Sequence, residues 1–220
     1  MDILDAIRTR KSIRGYKPNP VPREVLNEIL DIARHAPSGM NTQPWEVIVI
    51  TGDVLANISR ENIEKLTSGA KPNRDVPPHT REGIYRQRQI DVAVQLFGLL
   101  GIAREDKEKR DAWMQHGFRF FNAPAALIIT MDKSCQESHF NIGTIAQTIC
   151  LAALNYGLGT CIQDQGTSFP DVVRKYAKIP ESKLIINCIT IGFPDWDFPA
   201  NKLETTREPV ENFVTWRGFG

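Results

Sequence analysis

Three continuous β-rich runs, Trp45–Thr51, Ala125–Thr130 and Leu184–Gly192, set the tightest limit on how this chain folds. A strand with polar residues at alternate positions can leave one face in water. A run that is apolar at nearly every position cannot, so both faces of its sheet need a cover. The helical patterns supply one. Ile142, Ile145, Ala146, Ile149, Ala153 and Leu154 recur at helical spacing and predict a helix over Ile142–Tyr156, stopped by Gly157. Pro22 opens another where a missing N–H costs least, with Val25, Leu26, Ile29, Leu30 and Ala33 as its buried stripe and Pro37 as its stop. Asp2–Arg10 reads as a short helix with Ile3, Leu4 and Ile7 inward.

Arg81–Ile102 reads as a helix with Ile84, Ile90, Val94, Phe97 and Leu100 among its apolar positions, and Lys107–Phe121 as the next one. Thr160–Gln163 is a short strand and Pro170–Ala177 a short helix. Residues 53 to 122 are the least legible part of the chain, and Ser68–His79 is a loop. The last 28 residues carry prolines at 194, 199 and 209 and no core pattern, so this tail either frays or wraps a partner. Strands and helices mix without strict β-α-β alternation. That favours an α+β layered fold, with residues 1–220 as one domain.

Composition removes several function classes. Twenty-seven basic and twenty-six acidic side chains leave a net charge of +1, too little for a global field that gathers nucleic acid or anionic lipid. The longest apolar runs, Ala123–Met131 and Leu184–Phe193, are about half a membrane span. Met1-Asp2-Ile3-Leu4-Asp5 carries acids where a secretory signal has positive charge, so a cytoplasmic protein is expected. The four cysteines, at 135, 150, 161 and 188, match no zinc spacing, and no metal is expected. Gly157-Leu158-Gly159 follows a helix and lacks the remaining glycines of a dinucleotide fingerprint; no phosphate-binding Walker loop or serine nucleophile elbow occurs.

Two polar constellations remain. Arg8-Thr9-Arg10-Lys11-Ser12-Ile13-Arg14 packs four cations and two hydroxyls into seven residues, a combination that can hold a phosphate through guanidinium forks and a short hydroxyl donor. By composition alone a solvated charge run is the plainer reading. Ala36–Trp45 joins a helix to a strand, and its Ser38, Asn41, Thr42 and Gln43 offer donors and acceptors between Pro37 and Pro44. Amides in a rigid loop suit a planar heterocycle such as a flavin or base. The plain alternative is a capped turn.

Taken in order, Arg10-Lys11-Ser12-Ile13-Arg14-Gly15-Tyr16-Lys17, Val21-Pro22 with its helix, and Ala36-Pro37-Ser38-Gly39-Met40-Asn41-Thr42-Gln43-Pro44-Trp45 resemble the nitroreductase family of FMN-dependent oxidoreductases. The resemblance continues through Asn122-Ala123-Pro124, Asn141–Tyr156 and Gly157-Leu158-Gly159-Thr160, and ends at Thr205-Thr206-Arg207-Glu208-Pro209. It implies a three-layer α-β-α sandwich with an extended C-terminal arm, forming an intertwined homodimer with two shared FMN sites. Arg10, Lys11, Ser12 and Arg14 would hold the FMN phosphate and ribityl chain, with Arg207 completing the grip. Pro37, Ser38, Met40, Asn41 and Gln43 would come from the other subunit, and Ile162 and Gln163 would present backbone to the ring near N5. Thr205 departs from the lysine common in the family, a contact that Lys202 could replace.

The resemblance further implies NAD(P)H as donor and a nitroaromatic or quinone as acceptor, reduced by ping-pong hydride transfer with no catalytic side chain required. Met40, Tyr85, Trp113, His116, Phe118 and Phe120 are candidates for the acceptor pocket, and Arg86 and Arg88 for a carboxylate on the acceptor. Reductive dehalogenation, enone reduction or flavin cleavage on the same fold is the alternative chemistry. A non-enzymatic binding protein is the remaining one.

Overall fold

The structure, a computed structural model, describes residues 2–135 and 139–219. The elements run α1 (Ile3–Thr9), α2 (Arg23–Ala33), β1 (Trp45–Thr51), α3 (Gly52–Thr67), α4 (Gly83–Leu99), α5 (Lys107–Phe118), β2 (Ala125–Asp132), α6 (His139–Asn155), β3 (Gly159–Gln163), α7 (Pro170–Ala177) and β4 (Lys183–Gly192). The four strands form one antiparallel sheet in the order β1-β2-β4-β3.

The sheet separates two cores. On one face Leu127, Ile129, Ile189 and Ile191 meet Leu26, Ile29 and Ala33 of α2 and Ile142, Ile145, Ala146, Ile149 and Ala153 of α6. On the other, Ala126, Ile128, Ile185 and Cys188 meet Leu55 and Ile58 of α3, Phe118 of α5 and Val172 and Val173 of α7. Odd and even positions of β2 thus serve different cores, as strand geometry requires, and every residue from Ala125 to Met131 is buried. The register of β2 on β4 shifts between Ile129 and Thr130. This bulge moves Ile185 to the second core while Leu184 and Ile186 pack on the first.

Several sequence expectations change. Trp45–Thr51 is an edge strand, half-covered rather than buried on both faces: Ile50 is buried and Val49 exposed. Ile3, Leu4 and Ile7 of α1 face outward and only Ala6 is buried. Ile84, Ile90 and Val94 of α4 are exposed too, with Leu96 its one buried residue. Helical spacing reports a shared apolar face; it does not say whether the same chain covers that face. α2 ends at Ala33, before Pro37, and α3 fills a stretch left unassigned. Phe118 and Phe120, candidates for the acceptor pocket, are core residues.

Connections are pinned by polar contacts. Asp75 receives two guanidinium bonds from Arg174, at 3.3 and 2.6 Å, and the Ile185 N–H at 2.8 Å, fixing the loop before α4 against α7 and β4. Beyond Leu203 the chain is exposed through Phe213, with one 3-10 turn at Val210–Asn212. Among the described residues no helix is long and apolar enough to cross a membrane.

Candidate functional site

The basic segment Arg10–Arg14 lies along the open edge of β3. Ser12 forms a parallel bridge with Thr160, and the Ile13 N–H donates to the Thr160 carbonyl at 2.9 Å. Gly159 permits this approach, since a Cβ there would stand 2.5 Å from Ile13 Cγ1. Tyr16 lies behind the segment. Its hydroxyl donates to the Ile13 carbonyl at 2.8 Å and sits 2.8 Å from Thr190 Oγ1, and burial keeps the phenol pKa well above its usual value. The segment is therefore a shelf with Ile13 as its buried anchor and Arg10, Lys11, Ser12 and Arg14 partly exposed.

Arg8, Arg10, Lys11, Trp196, Thr205 and Arg207 border a cavity of about 790 Å³. Ser12 and Arg14 are not in its wall. Arg207, on the exposed C-terminal segment, donates through one Nη to Thr205 Oγ1 at 2.6 Å and to the Thr205 and Thr206 carbonyls. Lys11 stands 4.0 Å from Glu204, and Arg88 of α4 pairs with Glu208 at 2.8 Å. The structure thus brings Arg207 to the N-terminal cations, across nearly the whole length of the chain. The thiols behind the shelf add no opposing charge: burial pushes Cys150 up to about 11 and raises Cys161, so both stay protonated at neutral pH.

The edge of β3 continues past Ser12. Thr160 turns its carbonyl to the open edge, so alternation turns the backbone of Ile162, two residues on, the same way. Ile162 is exposed. Gln163 is turned inward: its carbonyl accepts from the Cys188 thiol at 3.3 Å and its Oε1 from the Gly166 N–H at 2.9 Å. Its buried Nε2 has no partner among the described residues. Of the two residues expected to offer backbone to a ligand, Ile162 has the suitable orientation.

The Pro37–Gln43 loop lies elsewhere. The Pro37 carbonyl accepts from Thr144 Oγ1 at 2.8 Å, and the Gly39 N–H donates to Asn141 Oδ1 at 3.2 Å, placing the loop on the first two turns of α6. Met40, Asn41 and Gln43 all have positive φ, between 46° and 60°, a conformation costing about 1 kcal/mol or more per residue. Ser38 Oγ holds the turn by accepting the Gln43 N–H at 3.0 Å. Met40 is fully exposed. Among the described residues no hydrogen bond or ion pair joins this loop to the basic shelf of the same chain.

Of the remaining candidates, Tyr85 is exposed on α4, and Trp113 and His116 of α5 sit in an aromatic cluster with Phe121 and Phe198. Arg86 bonds Gln89, and Arg88 is the partner of Glu208. A second cavity, about 750 Å³, runs along α3 beside Leu55, Ser59, Arg60, Arg119 and Pro124; none of the expected site residues line it. Among the described residues no group of three His, Cys, Asp or Glu side chains could hold a metal ion.

The chain is thus a two-core sandwich with a cationic shelf at a free sheet edge. The model of the nitroreductase family matches residues 7–193, and the chain belongs to that family of oxidoreductase enzymes. It is 34% identical to the nitrobenzene nitroreductase of Ectopseudomonas oleovorans, covering 97% of this chain and 96% of the relative. It is 32% identical to the 4-nitrobenzoate reductase of Pseudomonas putida, over 99% and 97%. The crystal structure of the FMN and NADPH-dependent nitroreductase NfnB from Sphigopyxis sp. strain HMH superposes over the full length of both chains with a TM-score of 0.94 at 27% identity.

Proposed function

We propose that the chain is an FMN-dependent oxidoreductase that uses NAD(P)H to reduce nitroaromatic or quinone-type acceptors. The observation that carries this reading is the cationic shelf running into the open edge at Ile162, charge for a phosphate beside backbone for a ring. The names of the relatives support the nitroaromatic part of that acceptor class.

The residues present fit FMN. Arg10 and Arg207, with Lys11, border one cavity and can neutralise a phosphate dianion there, while Ser12 and Arg14, next along the shelf, would hold the ribityl chain. Thr205 supplies no charge, and its hydroxyl holds Arg207 instead. The Ile162 N–H is the donor available at the edge of the ring. Bound flavin supplies hydride acceptance and donation at N5, so the protein needs no acid or nucleophile of its own. What the chain contributes is orientation, and positive charge that holds the phosphate.

The loop is tied to α6 through Pro37 and Gly39, and Asn41 and Gln43 are exposed on it, a placement that suits contact with a second copy. In this reading the functional unit is a homodimer: each shelf faces the Pro37–Gln43 loop of its partner and the C-terminal segment reaches across. One flavin face then serves donor and acceptor in turn, a ping-pong cycle.

The test is direct. Purified protein carries yellow FMN, and with NADH or NADPH it turns over nitrobenzene, 4-nitrobenzoate and a benzoquinone with parallel initial-rate plots. Turnover of halophenols alone would replace this reading with reductive dehalogenation. A colourless chain that ignores added FMN would end it.

A further inference from the structure

The Arg10–Arg14 shelf is held from behind by two side chains, Asn201 and His116. Asn201 is buried in the 3-10 turn Pro199–Lys202. Its Oδ1 accepts the Arg14 N–H at 2.7 Å, and its Nδ2 donates to the Gly15 and Asp195 carbonyls, each at 2.7 Å. His116, in the last turn of α5, has Nε2 2.8 Å from the Arg14 carbonyl. A carbonyl only accepts, so Nε2 carries the hydrogen. Nδ1 is then the acceptor, 3.5 Å from the Asn122 amide nitrogen. Both polar atoms of Arg14's backbone are therefore satisfied by side chains from sequence positions 102 and 187 residues away.

The surroundings leave this geometry little freedom. His116 packs among Trp113, Phe121 and Phe198 at centroid distances of 5.4–5.5 Å. Phe120, Phe121 and Asn122 form a left-handed turn with φ near 55°, which brings Phe121 and Asn122 onto the imidazole. Gly15 has no room for a side chain, since a Cβ would lie 2.3 Å from the Phe198 ring. Burial also lowers the pKa of His116, helped by the nearby Arg119 charge, so the ring stays neutral in this setting.

We propose that His116 and Asn201 are positioning residues of the anion site: by fixing the Arg14 peptide they hold the segment whose Arg10 and Lys11 line the cavity with Arg207, so that these cations are set around the phosphate of the bound flavin. The proposal rests on the flavin reading above. Neither residue touches the phosphate.

The discriminating experiment compares FMN with riboflavin, the same ring without the phosphate, by fluorescence titration of the full-length chain stripped of flavin. His116→Phe keeps an aromatic ring in the cluster and removes the donor. It should lower the FMN-to-riboflavin affinity ratio by about tenfold, the effect of one hydrogen bond left unmade behind the site. His116→Gln places a side-chain N–H near the position of Nε2 and should restore the ratio. Asn201→Ala should act in the same direction, and the His116 pair decides if that variant does not fold. An unchanged ratio in His116→Phe, or equal loss in the Phe and Gln variants, would overturn the proposal. A wild-type chain that binds neither flavin would instead remove the function on which it rests.

Discussion

Single side chains carry much of the order in this molecule, and Arg174 shows how. Its side chain is 8% exposed and answers Asp75, the Lys183 carbonyl and Glu181 together. Asp75→Ala leaves a buried guanidinium short of its main partner and the Ile185 N–H without an acceptor. The expected loss of stability is about 3–5 kcal/mol, read from denaturant midpoints at constant m. His116 predicts a pH dependence. Burial holds it neutral in the folded chain at pH values where the unfolded chain already takes up a proton. Its contribution is therefore whole above the ordinary value of 6.5 and is lost as pH falls below it toward the lowered folded value. The melting temperature should drop more steeply from pH 7 to 5 in the wild type than in His116→Phe.

Between elements, close approach decides position. β3 accepts the basic segment because Gly159 offers no side chain where Ile13 and Pro194 lie, within 2.5–2.8 Å of an added Cβ. Gly159→Ala must displace Ile13, itself 2% exposed. We expect a cost of about 1–3 kcal/mol from overpacking, with faster loss of FMN on dilution because the shelf moves with its anchor. Retention of both stability and flavin would show that the bridge between Ser12 and Thr160 does not set the shelf. On the far edge of the sheet, Lys183 joins Glu46 of β1 to Asp132 of β2. Hydrogen bonds from Ser134 and then Lys183 hold the Asp132 carboxyl at about 2, so this link persists throughout the neutral range.

Across the molecule, the outward apolar residues need an explanation that one chain does not contain. Ile3, Leu4 and Ile7 of α1, Ile84, Ile90 and Val94 of α4, and Phe213, Trp216 and Phe219 near the end are all exposed. A monomer seldom leaves that much large apolar surface in water. A second copy covering it predicts a solution mass of twice the 24.8 kDa chain by light scattering. Leu4→Glu with Ile7→Glu should release monomers and, with them, the flavin. A wild type that stays monomeric at micromolar concentration would separate the two site motifs for good.

Periodicity and turn chemistry were enough to read α2, α6, α7 and β2–β4 in the linear chain, because each is a local pattern with a local stop such as Gly157, with φ 69°. The basic segment and the Pro37–Gln43 loop stand out in the sequence as clusters of cations and polar side chains for the same reason. Depth was not. Whether Ile3 or Val49 is covered depends on what lies across from it, and helical or strand spacing holds no record of that neighbour. Arg207 reaches the cations of residues 8–11, and His116 and Asn201 reach the Arg14 peptide, through contacts that span 102 residues or more. A lone histidine and a lone asparagine carry no motif; only the placement of α5 and the Pro199 turn beside the Arg14–Gly15 backbone gave them a shared target.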